Sequence, residues 1–242
     1  MKKKIIALCL VAVIAVTALA SVTLAYFTDK DEKTNNFTSG KVDITLNEVF
    51  DEETAQLIPG VNIQKDVTIT LEKGSVESYV WYTYAIPAVL DNADASLNVV
   101  HVNHAGRNWL AYRENPMYWA NGQTEATPED QCWIVDYEVK KDVEIDGVLY
   151  NVYTVLYNGT LLEGEETTIG MTKVYLDTKV DFDNATGKYV INGQEIGYDL
   201  NNVKIIVTAY GIQAATFENV QAAYEAYNAQ AAEIANVATD ID

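Results

Sequence analysis

The stretch Tyr79-Val80-Trp81-Tyr82-Thr83-Tyr84-Ala85-Ile86 constrains the fold more than any other part of the chain. Read with a period of two, it is apolar or aromatic on both sides, and Pro87 ends it. A strand of that composition needs cover on both faces, which predicts a central position in a sandwich. Other segments alternate. Val42, Ile44 and Leu46 are interleaved with Asp43, Thr45 and Asn47, and Val67, Ile69 and Leu71 with Thr68 and Thr70. One apolar face each predicts half-buried strands. Strands are also expected over 132–139, 150–157, 167–176 and 203–210, the last with Val203, Ile205, Val207 and Ala209 on one face. Pro59-Gly60, Lys73-Gly74-Ser75, Asp146-Gly147, Asn158-Gly159 and Asn192-Gly193 read as turns between them. Near the end the period changes. Val220, Ala223, Tyr224, Tyr227, Ala231 and Ile234 keep helical spacing, with Thr216 as N-cap, so a helix is predicted over 216–235. Many short strands and one closing helix predict an all-β sandwich.

Residues 91–130 break the pattern. They are rich in Asn, Asp, Gly and Pro, and read as a loop-rich insertion with a short helix near Trp109 to Arg113. Trp109, Tyr112, Tyr118 and Trp119 within it have two readings. They pack as a secondary core, or they form a surface for a glycan or protein partner. Packing is favoured, because large aromatics are on average well buried.

The N-terminus reads as an export signal. Lys2, Lys3 and Lys4 precede an apolar run from Ile5 to Ala20. A run of ~20 residues also has the length of a bilayer span. Small residues at Thr23 and Ala25, then the polar run Thr28 to Lys33, favour a cut between Ala25 and Tyr26. That divides the chain into a signal peptide, 1–25, and a single secreted domain, 26–242, touching a membrane only through an uncleaved signal. The 242-residue chain carries 16 basic and 35 acidic residues, a formal charge of −19. Such an excess excludes binding to nucleic acid or anionic lipid by bulk charge, and it makes self-association sensitive to salt and acid. Of the two cysteines, Cys9 lies in the signal and Cys132 in an apolar run, so no disulfide is expected within the mature chain.

Catalytic chemistry is sparse. His101 and His104 are the chain's two histidines, with no His-Glu-x-x-His motif and no third metal ligand evident nearby. A spacing of three puts them on opposite faces of a strand, and the neighbouring valines favour strand. Asp181-Phe182-Asp183-Asn184 with Gly187 has the look of a calcium loop, but Asn192 stands where an EF-hand needs its bidentate Glu. An acidic turn is the preferred reading there, and a loose calcium site at 91–94 is weaker still. No nucleophile elbow or phosphate loop occurs, and no cofactor is expected.

Ala25-Tyr26-Phe27-Thr28-Asp29, then Asn36 to Ile44, then Leu46-Asn47-Glu48 resemble the start of the camelysin/TasA family. Gly211-Ile212-Gln213-Ala214 after a long strand is similar to the same family. The resemblance implies a SipW-type signal peptide cut by a dedicated signal peptidase, a jelly-roll form of the sandwich, and a place among fibre proteins of a Gram-positive biofilm matrix or cell surface. It implies a homopolymer, with an accessory assembly protein as a further candidate partner. Within that picture Val42, Ile44 and Leu46 are the candidate donor strand, able to pair with the chain's own sheet or with the next subunit. The family also implies an alternative, a camelysin-like surface metalloprotease centred on His101 and His104.

Overall fold

In the computed structural model the described residues are 41–51, 56–104 and 128–239, without the side chains of 129 and 233–239. The expected signal, the expected cut between Ala25 and Tyr26, and the aromatic residues Trp109, Tyr112, Tyr118 and Trp119 lie outside them. Among the described residues twelve strands and one α-helix follow in order: β1 (Ile44–Val49), β2 (Ile63–Gln64), β3 (Asp66–Leu71), β4 (Ser78–Pro87), β5 (Val100–His104), β6 (Trp133–Ile145), β7 (Val148–Leu161), β8 (Met171–Leu176), β9 (Val180–Asp183), β10 (Lys188–Ile191), β11 (Gln194–Glu195), β12 (Ile206–Gln213) and α1 (Val220–Thr239).

The central sheet has the order β12-β4-β7-β6, and every neighbouring pair in it is antiparallel. Opposite it stand β1-β3 and β2-β8-β5, with β11-β10-β9 as a small satellite sheet. Residues 164–170 run along the far side of β3. The amides of Thr167 and Gly170 donate to the carbonyls of Ile69 and Val67, and the amide of Leu71 donates to Glu165. The opposing wall therefore continues from β1 through β3 towards β8.

The double-sided character of 79–86 now has a physical account. Val80, Tyr82, Tyr84 and Ile86 point into the main core with Val67, Ile69, Leu71, Val155 and Met171. Tyr79 and Trp81 point the other way, into a second cluster with Ile134, Leu156 and Ile212, beneath Val220, Ala223 and Tyr224 of α1. The molecule is thus an all-β sandwich whose central sheet is backed by its C-terminal helix. Trp81 stacks on Tyr210 at 5.8 Å and meets Tyr224 and Tyr227 edge-on at 5.7 and 5.2 Å.

Several turns are where the sequence puts them. Asp146 and Gly147 have φ of 50° and 79°, and Asn192 and Gly193 have 50° and 78°, the doubly left-handed geometry that suits a two-residue hairpin. Asn158-Gly159 differs, because it lies inside β7. The register against β4 jumps there from Tyr79↔Thr160 to Trp81↔Leu156, so the pair forms a bulge and not a turn. A Cβ at Gly159 would lie 2.1 Å from the Asp130 carbonyl oxygen, so this crossing requires glycine. The helix starts at Val220 and is capped by Asn219, whose Oδ1 accepts the Ala222 amide at 2.9 Å, where the sequence suggested Thr216. Ala231, expected on the buried face, is exposed. The stretch read as loop-rich contains β5, which pairs with β8.

Candidate functional site

β1 is a sheet-edge strand whose seat is built from three directions. It pairs with β3 in the register Ile44↔Leu71, Leu46↔Ile69, Glu48↔Val67. Val42, just upstream, is buried, and Ile44 and Leu46 are half-buried against the main core. On the outer face the contacts are polar. Thr45 Oγ1 donates to Glu72 at 2.6 Å, and Asn47 Nδ2 donates to Thr70 Oγ1 at 2.9 Å and to Glu166 at 3.1 Å. Ahead of the strand, the Asp43 carbonyl accepts the Glu72 amide at 2.8 Å, and the Lys41 carbonyl accepts the Val76 amide at 2.9 Å.

The third side is β12, the edge of the central sheet. A Cβ added at Gly211 would come within 3.1 Å of both Val42 Cγ1 and Ile44 Cγ2. Glycine lets the two edge strands close at this end. They splay apart at the other end into a cleft of about 910 Å³ lined by Glu48, Phe50, Ile58, Lys65, Tyr189 and Lys204 among others. Lys65 lies at the cleft with only 6% of its surface exposed. Its Nζ is 2.9 Å from Glu48 Oε2 and 4.6 Å from the centre of the Phe50 ring, so both contacts come from the end of β1. Sequence reading found Val42, Ile44 and Leu46 but missed Lys65 and Gly211. The one available signal was the carboxylate at Glu48, in step with Ile44 and Leu46.

The two histidines go separate ways. His101 Nε2 is 3.0 Å from Asp177 Oδ2, and its ring stacks on Tyr175 at 5.0 Å. His104 follows a register irregularity in β5. Its Nδ1 is 3.0 Å from the Tyr82 hydroxyl, and its ring lies 5.0 Å from that of Tyr84. Burial pulls the His104 pKa down to about 3, so the ring is neutral near pH 7. Among the described residues no group of three or more His, Cys, Asp or Glu side chains is placed to hold a metal ion. At the suggested calcium loop, Asp183 instead closes its own turn, accepting from Thr186 Oγ1 at 2.8 Å and the Ala185 amide at 2.9 Å, and these bonds lower its pKa. Asp94 is occupied in the same manner by Ser96.

A polar cluster that sequence reading did not find sits near the start of β6. The Tyr84 hydroxyl donates to Asp136 Oδ1 at 2.9 Å, Tyr84 stacks on Tyr153 at 4.8 Å, and Tyr153 donates to Asp91. Burial raises the pKa of Asp136, and the nearby Asp91 charge adds to the rise. Asp136 has a left-handed φ of 53°, where the β6–β7 register shifts.

Fold and site together define a helix-backed β-sandwich with a separately seated N-terminal edge strand. The family model described as camelysin metallo-endopeptidase matches residues 1–83, a span that takes in β1, β3 and most of β4. The resemblance to the camelysin/TasA family is therefore borne out over that N-terminal part. No curated protein and no solved structure matches the chain. The donor set that a metallo-endopeptidase requires is not brought together among the described residues.

Proposed function

We propose that this chain is an exported structural subunit that assembles head-to-tail into extracellular filaments by exchange of its N-terminal strand. Cleavage between Ala25 and Tyr26 frees the polar lead-in ahead of Lys41. The observation that carries the reading is the seat of β1: an edge strand near the new terminus, half-buried, lying in a groove between two other strands. Such a strand can fill the equivalent groove of another copy with the same contacts. Strand addition of this kind is heterologous, so it propagates as a fibre and not as a closed dimer.

The test is the mature protein beginning at Tyr26, followed by pelleting and electron microscopy. The wild type is expected to form filaments. Ile44→Asp removes about half of the ~1.5–3 kcal/mol that full burial of a large aliphatic side chain is worth, and it sets a charge against an apolar groove. It is expected to melt cooperatively and to remain in the supernatant. Deleting 26–40 is expected to weaken assembly less, because that segment is mostly polar. A folded Ile44→Asp variant that pellets like the wild type would sink the exchange reading.

The family description also favours a second reading, a metallo-endopeptidase. Stoichiometric zinc, with peptidase activity lost in a His101→Ala/His104→Ala variant, would move the function there.

A further inference from the structure

The groove that holds β1 contains a buried cation with a specific demand. Lys65 is withdrawn from water, and its ammonium is met by Glu48 Oε2 of the strand in the groove and by the ring of Phe50, the residue that follows it. A lysine buried this deeply without a counter-ion is strongly destabilising. When β1 leaves, the groove opens to water and keeps the charge, so any strand that refills it buries Lys65 again and must bring a carboxylate to it. We infer that the groove is addressed by charge: it takes the 44–49 strand of a second copy in the one register that returns Glu48 to Lys65. This rests on the strand-exchange reading above, and names what selects the incoming strand.

The apolar pattern alone does not select it. A slip of one residue is excluded, because it turns Ile44 and Leu46 to the outside. A slip of two keeps the same face inward and is tolerated by aliphatic packing. It would, however, set Leu46 or Phe50 where Glu48 belongs and leave Lys65 unneutralised. The ion pair resolves the ambiguity that hydrophobic alternation leaves, as a single polar position does in a helical zipper.

A charge-swap experiment tests this on the mature protein by pelleting and microscopy. Five samples are compared: wild type, Glu48→Lys, Lys65→Glu, an equimolar mixture of those two, and the double variant. Each single variant is expected to lose more than about tenfold in pelleted material, because it sets two like charges together at a lysine that the strand withdraws from water. The double variant is expected to assemble alone. The mixture is expected to recover filaments in which the two chains alternate. There the E48K strand meets the K65E groove, and the unaltered Glu48 of one chain meets the unaltered Lys65 of the other. Recovery on mixing is possible only if the pair forms between chains. It counts equally where a single variant is unfolded by itself. A double variant that assembles while the mixture does not would overturn the inference, since the pair would then act within one chain. Single variants that pellet like wild type, or a double variant that stays soluble, would overturn it as well. A wild type that remains monomeric would sink the filament reading itself, and this inference with it.

Discussion

At the C-terminal end α1 lays Val220, Ala223 and Tyr224 on the outer face of β4, all of them buried. At the N-terminal end β1 keeps Ile44 and Leu46 half-buried, pairs with β3 alone, and fills its outer face with Thr45 and Asn47 contacts to polar side chains. The helix is fastened by aromatic rings around Trp81 and by Tyr224, whose hydroxyl meets Thr154 at 3.1 Å and donates to Glu138. The strand is fastened by a short ladder, two half-buried aliphatic side chains and one ion pair, with the buried Val42 and two backbone hydrogen bonds just ahead of it. Elements attached mainly by buried aromatic area belong to the stability of the fold. Elements attached by modest area and specific polar contacts can be replaced by an identical copy at little net change in free energy.

Three substitutions break or sharpen that contrast. Trp81→Ala should have the largest effect, a loss of about 3–5 kcal/mol of folding stability, because it empties the space under α1. Chemical denaturation of the purified protein reads it, and a loss below about 1 kcal/mol would mean that the helix is held by something else. Leu46→Ala should cost about 1 kcal/mol in the monomer, in keeping with a side chain only half removed from water. Its effect on pelleted filaments should be disproportionate, and equal effects on melting and pelleting would dissolve the distinction between the two ends. Asn219→Ala should be the smallest, about 1 kcal/mol or less from the lost helix cap, with filament yield unchanged. A filament defect in that variant would place α1, and not β1 alone, in assembly.

Much of the sandwich was legible because local chemistry and tertiary need coincide. The strand at 78–87 reads as central from its own residues, and the Asp146-Gly147 and Asn192-Gly193 hairpins demand left-handed backbone that Asn, Asp and Gly supply. Asn158-Gly159 misled for the same reason: the dipeptide favours special backbone geometry, but whether that makes a turn or a bulge depends on β4 and on the Asp130 carbonyl lying against it. Thr216 and Asn219 are both competent caps, and only the way the chain leaves β12 selects between them. β5 showed only in the valines beside His101, which favour strand; its partner β8 lies far along the chain and was not legible. At the candidate site, the aliphatic alternation was visible and the ion pair was not. A lysine between Gln64 and Asp66 reads as a solvated charge, and its burial is created by segments from elsewhere in the chain.

The pairing of β12 with β4 ties residues 206–213 to 78–85. It makes the order in which segments become available matter. The β6–β7 hairpin can close as soon as Val148 follows Ile145, but the outer face of β4 has no cover until α1 has been made. A nascent chain stopped before Ile206, or a product clipped there, would carry Tyr79, Trp81, Ile134 and Leu156 facing water and would be an aggregation hazard rather than a smaller version of the domain. Completion of the fold is thus timed to the arrival of the last segment. A chain that exposes this apolar surface until α1 has docked should depend on chaperones until the helix is in place.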